Sequence, residues 1–496
     1  MSLLFLLVAP AVAALAMGRV QTRYVRELAL VGTGVSFFLA ILAALAAGNG
    51  APQTGAAEWA PRAGLTLRVA ADGVSASLLV LNAGISTLAI LATRPERMRR
   101  PRLFMAMLLL AQVGASGVLV AQDMVLFFVF WELVLVPFLV LVALYGEGDR
   151  ERAALRLLIY TSAGSLAMLV SIAFMFVASG SHSFAIEDLA RASTGGTFLG
   201  VSLAHLAFGG FALAFAIKSP LFPFHGWMAE AYASAPTPVV MLLAGVVSKL
   251  GPYGFYRVAI RLLPGAARDL SPLLMGLAAV GIVYGALIAL RQRDAKRTVI
   301  YLSLSHMCFI TLGVVSLTSA GLAGAAVQMV NHGIVIAALF FIVGHLEQRL
   351  GTRERARLGG LSATTPVLAA VFMVISLATL GLPGLNGFVG EYLIMAGAYT
   401  RSWAILLLAA AGVVLASWYT LRLYQGVMNG PPNLGADGDE DPAVVRRRAE
   451  LGTRELRVLA PLATAAVVIG VFPAPLVALV NQSVVQLSRV LTGGGG

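Results

Sequence analysis

Long apolar runs, each about the length needed to cross a bilayer, alternate along this chain with short polar segments rich in arginine. An α-helix rises 1.5 Å per residue, so roughly 20 apolar residues cross a hydrocarbon core about 30 Å thick. A window of that length predicts seven spans in the first half of the chain, at residues 3–17, 28–47, 74–92, 103–121, 124–145, 154–178 and 206–232. Seven more follow at 239–260, 273–290, 299–317, 323–350, 367–398, 404–427 and 459–480. The pattern predicts an all-α polytopic membrane protein with about 14 transmembrane helices.

Two of these spans contain helix-breaking residues close to an ionisable side chain. In the seventh span, Lys218 is followed by Ser219, Pro220, Pro223 and Gly226. In the twelfth, Glu391 is preceded by Gly381, Pro383, Gly384, Gly387 and Gly390. Helices broken at membrane depth usually line a polar cavity, because the freed backbone groups need partners. One broken helix in each half predicts two inverted five-helix repeats with a transport path between them.

The basic residues lie mainly on one side of the predicted membrane. Loops after odd-numbered spans hold 25 of the 35 lysines and arginines, and the other loops hold eight. Because positive loops stay in the cytoplasm, both termini are predicted outside, and the polar stretch 430–457 is predicted to be a cytoplasmic loop ending in a surface helix. The first span is expected to be a retained helix, since no positive residue precedes it. The net charge of +12 is thus explained by membrane orientation and does not indicate nucleic-acid binding.

Lysine is scarce, and two of the three lysines lie inside apolar runs. These two are Lys218 and Lys249, whereas Lys296 lies beside Arg297 and is expected to be an ordinary cytoplasmic loop charge. Codon bias in a GC-rich genome explains why lysine is rare, but not where the lysines lie. Burial disfavours a charged amine and lets it release a proton, which arginine does not do at physiological pH. Lysine within the membrane therefore suggests proton movement.

Five ionisable side chains share a level near the middle of the predicted membrane: Glu132, Lys218, Lys249, His306 and His332. Their positions within the spans place them roughly 10 to 18 Å deep. Together with Glu391 they form a row along the membrane rather than a path straight across it. Ionisable residues at this depth are normally paired, hydrated or functional, so the row predicts a proton relay. Histidine suits the middle of such a relay, because it titrates near neutrality and has two ring nitrogens.

Each of these residues also has a structural alternative. Glu132 could serve only as a hydrogen-bonding group within the bundle, and the two histidines of the row could simply bridge neighbouring helices. Three other histidines lie nearer to breaks or span ends and are expected to be structural: His205, His225 and His345. The histidines are scattered without paired spacing, so no metal site is expected. A single cysteine, Cys308, and the lack of a nucleotide-binding motif predict that the chain itself holds no cofactor.

Several motifs resemble the antiporter-like membrane subunits of respiratory complex I. They are FFVFWELVLVP from 127, ERAALRLLIYTSAGSLAML from 151, FAIKSPLFPFHGW from 215 and APTPVVMLLAGVVSKLGPYGFYR from 235, followed in the second half by YLSLSHM, QMVNHG and GLPGLNGFVGEY. The resemblance covers essentially the whole chain. It departs at 230–232, where this chain has Glu-Ala-Tyr and the family commonly has Asp-Ala-His.

The resemblance implies a role for each residue of the row. Glu132 and Lys218 match the family's coupling pair, and Lys249 matches its central lysine. The second-half relay and the terminal exchange residue correspond to His306, His332 and Glu391. Most large pumping subunits and the cation-antiporter relatives carry lysine at this last position, whereas one subunit type carries glutamate. That glutamate, with the expected lack of a long C-terminal extension, predicts membership of that one type.

The resemblance also implies the activity of the protein, its partner subunits and their cofactors. It implies a non-redox, proton-pumping subunit of a bacterial inner-membrane NADH-quinone oxidoreductase, driven by quinone reduction elsewhere. Neighbouring antiporter-like and other membrane-arm subunits are the expected partners, and FMN, iron-sulfur clusters and quinone are expected in the partner subunits. The implied domains are N-terminal helices at 1–100, half-channel repeats at 101–262 and 263–428, a loop with a surface helix at 429–458, and a last helix and tail at 459–496. The alternative is a subunit of a multi-subunit sodium/proton antiporter or a membrane-bound hydrogenase complex.

Overall fold

The computed structural model describes residues 2–60, 64–180, 183–191, 196–198, 200–430 and 448–492. The helices of the first half are α1 Ser2–Ala16, α2 Val25–Gly48, α3 Gly73–Ala92, α4 Pro101–Val120, α5 Met124–Tyr145, α6 Arg150–Ser179, α7 Ile186–Arg191, α8 Leu203–Lys218, α9 Met228–Ser234 and α10 Thr237–Gly245. The later helices are α11 Leu250–Gly254, α12 Ile260–Leu262, α13 Pro264–Arg291, α14 Ala295–Val315, α15 Ser319–Leu350, α16 Pro366–Thr379, α17 Gly387–Tyr399, α18 Trp403–Met428, α19 Thr453–Val471 and α20 Ala474–Thr492. The predicted all-α polytopic fold is confirmed.

Eleven segments of the described chain are helical, long and apolar enough to cross a membrane. Three shorter apolar helices, α1, α8 and α16, coincide with further predicted spans. Aspartates fix where several spans begin: Asp72, Asp123 and Asp294 each accept hydrogen bonds from backbone N–H groups in the first turn of α3, α5 and α14. The total of 14 crossings and the domain boundaries stay predictions.

Both predicted helix breaks are present. The chain leaves the helix between the end of α8 at Lys218 and the start of α9 at Met228, and again between α16 and α17. In the second break, Gly381 and Gly384 have φ angles of 67° and 92°, a left-handed region that glycine enters without the cost of a Cβ. Each break therefore lies next to the ionisable residue that the sequence placed beside it.

A third interruption, which the sequence did not predict, divides the eighth span. After α10 ends at Gly245, a 3-10 turn covers Val247–Lys249, α11 follows, and Phe255–Ala259 forms a π-helix before α12. A π-helical turn is rare and frequently occurs at functional sites. Lys249 lies within this interruption rather than in a continuous helix.

The bounds of the predicted last span, 459–480, are wrong. α19 ends at Val471 and α20 begins at Ala474, because Pro473 has no N–H for a continuing helix and forces Phe472 out of the helical region. α20 packs on α3 and α15, and Ser483 Oγ accepts a hydrogen bond of 3.1 Å from the Gly73 N–H. Most of the predicted cytoplasmic loop, residues 431–447, lies outside the described residues.

The expected role of Lys296 as a loop charge is also wrong. It lies in the first turn of α14 and is buried. Its ammonium donates hydrogen bonds of 2.9 and 3.0 Å to the carbonyls of Ala233 and Ala235, at the end of α9. Lys296 thus ties α14 to the C-terminal carbonyls of the helix that follows the first break.

Short strands also occur, although none was predicted. β1 Gln53–Ala60 and β2 Leu65–Ala71 form an antiparallel hairpin between α2 and α3, and β3 Thr197–Phe198 pairs with β4 Val201–Ser202 before α8. The hairpin leads directly into the aspartate cap of α3, and Val69 bridges to Ala121 at the end of α4. These strands lie in connections between spans and leave the helical core unchanged.

Candidate functional site

The first predicted pair lies where α8 ends against α5. Lys218 is 4% exposed, and its Nζ lies 4.9 Å from the centroid of the Trp131 ring, a cation–π geometry. Glu132 follows Trp131 along α5 and interacts electrostatically with Lys218. Yet no ion pair within 4.0 Å joins the two among the described side chains, and Glu132 Oε1 is buried without a hydrogen-bond partner there. The two side chains therefore interact without forming an ion pair, an arrangement that we call the open pair.

Lys249 lies at the end of the 3-10 turn in the eighth span and is only 1% exposed. Its Nζ donates hydrogen bonds to the Ala244 carbonyl and, at 3.4 Å, to Ser248 Oγ. Both acceptors are neutral, and no carboxylate lies within ion-pair distance in the part of the chain that is described. An uncompensated buried charge is costly, so the charged form of Lys249 is poorly stabilised at this position.

Glycines bring the segments of Lys218 and Lys249 into contact. A Cβ on Gly251 would lie 2.5 Å from the Ser219 nitrogen and 2.7 Å from the Phe215 carbonyl oxygen. The residue after Lys218 therefore touches the chain two residues beyond Lys249. No direct hydrogen bond joins the two amines within the described regions, so a proton passing between them needs an intervening group such as water.

The second-half histidines stack on each other next to the Lys249 segment. α15 approaches α10 so closely that a Cβ on Gly333 would lie 2.7 Å from the Gly245 carbonyl oxygen. That contact places His332 beside the interrupted span, and Lys249 interacts electrostatically with both His332 and His306. The two imidazole rings lie 5.5 Å apart between centroids, with their planes only 9° from parallel.

Glu391 closes the row from the second turn of α17. It is 5% exposed, and its Oε1 lies 3.8 Å from His306 Nδ1 and accepts a hydrogen bond of 3.3 Å from Gln328 Nε2. α17 and α15 pack without an intervening side chain, because Gly324 and Gly390 lie at their contact. The predicted relay residue and the predicted terminal residue are therefore direct neighbours.

Sequence reasoning missed several polar residues around this row. Asn331 and Asn386 join α15 to the second break by reciprocal hydrogen bonds, from Asn331 Nδ2 to the Asn386 carbonyl at 2.5 Å and from Asn386 Nδ2 to the Asn331 carbonyl at 3.3 Å. Gln328 lies one helical turn before His332, and this i, i+4 spacing in the sequence could have indicated that both side chains lie on the same face of α15. These amides hold the broken helix against the histidine helix.

Buried polar atoms without a protein partner cluster around the histidines. In the described regions they include both ring nitrogens of His332, Nε2 of His306 and the Tyr419 hydroxyl. A small cavity beside them is lined by, among others, Ser305, His306, Thr379 and Glu391. Buried polar groups normally have hydrogen-bond partners, so this region suits bound water that could carry protons.

Three further histidines in the described part of the chain lie outside the row. His225 packs against the rings of Phe222 and Tyr284, His345 Nε2 lies 2.8 Å from the Ala449 carbonyl, and His205 Nε2 lies 3.0 Å from Asp269 Oδ2. No cluster of three or more potential metal ligands occurs among the residues that the structure describes. At the family departure, the Tyr232 hydroxyl donates to the Leu243 carbonyl at 3.1 Å and so contacts α10.

Residues 121–416, which include all six residues of the row, match the family model described as NADH:quinone oxidoreductase/Mrp antiporter, TM. The chain belongs to this family. It is 38% identical to the NADH-quinone oxidoreductase subunit M of Pseudomonas aeruginosa over 427 residues, which cover 84% of this chain and 81% of the relative. The predicted resemblance is confirmed, and a relative named subunit M matches most of this chain.

Two solved structures share the architecture of this family member. A chain of the respiratory complex I from Thermus thermophilus with bound NADH superposes with a TM-score of 0.88 at 31% identity, with full coverage of both chains. A chain of the Mrp complex from Dietzia sp. superposes with a TM-score of 0.85 at 22% identity, covering 99% of each chain. At that lower identity the likeness to the Mrp complex shows the fold alone.

Proposed function

We propose that this chain is a proton-translocating membrane-arm subunit of a proton-pumping NADH-quinone oxidoreductase. The observation that carries the proposal is the line of ionisable groups that runs through both halves: the half-buried Glu132 and the buried Lys218, Lys249, His332, His306 and Glu391. The similarity to subunit M over most of the chain supports the same function. This chain acts as a translocase subunit without redox chemistry of its own.

The open Glu132–Lys218 pair is the input of the pump. At an effective dielectric constant of 20, opposite charges about 4 Å apart attract by about 4 kcal/mol. Closing the pair would therefore hold the Lys218 proton, and opening it would release that proton toward Lys249. Quinone reduction in partner subunits supplies the charge change that closes and opens the pair.

The second half carries the proton from Lys249 to its exchange site. Lys249 has only neutral acceptors and lies in electrostatic range of the stacked histidines. A histidine accepts a proton on one ring nitrogen and releases one from the other, so His332 and His306 suit transfer between Lys249 and Glu391. Glu391, beside the Gly-rich break, exchanges protons with water.

The proposed partners follow from the separation of redox chemistry in other subunits from proton transfer in this chain. Partner subunits carry FMN, iron-sulfur clusters and quinone, and neighbouring antiporter-like chains continue the row in the membrane arm. The complex lies in a bacterial inner membrane, with both termini of this chain outside. Fewer basic residues in the loops on that side support the orientation.

A second candidate is a subunit of a multi-subunit sodium/proton antiporter or membrane-bound hydrogenase complex, because the family model covers Mrp antiporters as well as NADH:quinone oxidoreductase. The two candidates differ in the driving reaction. Proton movement that stops when quinone reduction is inhibited supports the first, whereas sodium-dependent exchange without electron transfer supports the second.

The decisive experiment replaces Glu132 or Lys218 with alanine in the intact complex. Each variant is expected to assemble but to lose coupled proton pumping, measured as protons moved per quinone reduced in proteoliposomes. Glu151→Ala, which removes an exposed carboxylate at the start of α6, is the matched control and should pump normally. Normal pumping in the Glu132 or Lys218 variant would refute the proposed function.

A further inference from the structure

A buried ion pair lies on the outward side of the interrupted eighth span, away from the row. Arg257 Nη1 and Asp72 Oδ2 are 2.7 Å apart, and the side chains are 7% and 18% exposed. Arg257 belongs to the π-helix, and Asp72 caps α3 by accepting a hydrogen bond of 3.0 Å from the Ser75 N–H. The pair thus joins the π-helix of the eighth span to the start of the third.

The ion pair lies on the same continuous segment as Lys249. Arg257 follows Lys249 by eight residues, about 12 Å along the helix axis. Tyr253 lies between them, and its hydroxyl donates to the Leu119 carbonyl at 2.7 Å. A proton leaving Lys249 along this segment toward the outside therefore meets Tyr253 and then the Asp72–Arg257 pair.

The helix α20 covers this pair. Its Leu479 carbonyl lies so close to Gly73 that a Cβ on that glycine would overlap it, and Ser483 binds the Gly73 N–H. A cavity between α20 and the pair is lined by, among others, Asp72, Tyr256, Arg257 and Ser483. The cover and the pair together separate Lys249 from the outer surface.

Two polar groups at this cavity lack partners in the described chain although they are buried: Nε of Arg257 and the hydroxyl of Tyr256. A buried donor without an acceptor costs free energy unless water satisfies it. The unmet donors, the cavity and the π-helix therefore coincide at one place. A purely apolar seal would contain no such polar groups, and an ion pair with only a structural role would have its donors satisfied.

We propose that the Asp72–Arg257 pair under α20 is an outward gate that insulates Lys249 from the outer solution when closed and admits water when open. Opening gives protonated Lys249 a second exit besides the one through Glu391: its Nζ–H bond breaks and the proton passes through water to the outside. Arg257 keeps its own proton throughout, because a guanidinium is not deprotonated in proteins. It is a positioning residue, and the inference rests on the proposed role of Lys249.

The test uses the intact complex in proteoliposomes and measures how fast the pH gradient decays after quinone reduction stops. Replacing both partners, Asp72→Asn with Arg257→Met, removes the pair without leaving a buried charge. We expect several-fold faster decay and fewer protons per quinone. Arg257→Lys alone keeps a cation opposite Asp72, so slow decay is expected for that variant. Asp269→Asn, which removes an exposed contact with His205, should behave as wild type.

Adding Lys249→Met to the double variant should abolish the fast decay, because the leak passes through Lys249. Wild-type decay and stoichiometry in the double variant, or a leak that persists without Lys249, would overturn the gate. Normal pumping in Glu132→Ala would instead overturn the proposed function, so the two failures are distinguishable.

A second measurement does not depend on assembly of the double variant. With Cys308→Ser as background, Tyr256→Cys is exposed to a membrane-impermeant maleimide from the outside. Labelling during quinone reduction, and little labelling at rest, is the expected result. Equal labelling in both conditions would overturn the gate.

Discussion

Replacing Glu391 with glutamine tests whether this residue, at the end of the row, transfers a proton or only holds helices together. Glutamine keeps the shape and can still accept a hydrogen bond from Gln328, but it carries no charge. Glu391 Oε1 and His306 Nδ1 lie 3.8 Å apart, so when the carboxyl is ionised and the imidazole protonated, the two charges attract by about 4 kcal/mol at an effective dielectric constant of 20. Each 1.4 kcal/mol is tenfold, so ionising Glu391 would favour a proton on His306 by about a thousandfold, a coupling that glutamine removes.

Glu391→Gln is therefore expected to abolish proton pumping by the assembled complex. The assay measures protons moved per quinone reduced in proteoliposomes, together with the quinone reductase rate before and after an uncoupler. Glu391→Asp, which keeps the acid, should pump measurably, and Tyr392→Phe, at a neighbouring side chain that is 58% exposed, should pump normally. A glutamine variant with the wild-type ratio would show that the contact is structural only.

Three further predictions concern the scaffold. Lys296→Met leaves two carbonyls at the end of α9 without their donor and should cost about 1–3 kcal/mol, seen as a lower melting temperature of the complex than for Arg297→Gln. Gly333→Ala forces a methyl group against a backbone carbonyl and should cost about 1–3 kcal/mol and weaken pumping, whereas Gly276→Ala, with open space, should do neither. Burial would raise the pKa of the Asp72 carboxyl, but its ion pair and hydrogen bonds outweigh burial and hold the pKa below 3.8. Its stabilisation is complete above that pH and lost only as the pH falls further, so protease resistance of α20 should be constant from about pH 8 to 5 and fall below about pH 4.

The helices and both predicted breaks could be derived from the sequence because they depend on local chemistry. Apolar length defines a span, and the proline and glycine run after Lys218 cannot continue a helix. The interruption at Lys249 was missed because the span is apolar enough to cross a membrane as one helix, although Gly245, Gly251 and Pro252 beside the lysine were an available signal. The real bounds of α19 and α20 were missed because the apolar run continues across Pro473.

Contacts between residues far apart in the chain could not be predicted from the sequence. The 3.8 Å contact between His306 and Glu391 depends on which faces of α14 and α17 meet. Those faces are set by close backbone approaches at glycines, such as Gly324 on α15, between residues far apart in the chain. Lys296 shows the same limit, because its carbonyl partners belong to a helix that ends about 60 residues earlier.

The charged groups of this protein fall into two kinds that differ in how fully they are paired. Near the helix ends, Glu455 binds both Arg94 and Arg349, and Asp72 binds Arg257. Along the row, Lys218 faces a ring and an open carboxylate, and the stacked histidines leave ring nitrogens without partners. A fully paired charge is expensive to change, since removing one partner leaves the other buried and alone. Incomplete pairing lowers that barrier, as the proposed proton relay requires, while the paired groups hold the helices that carry the row.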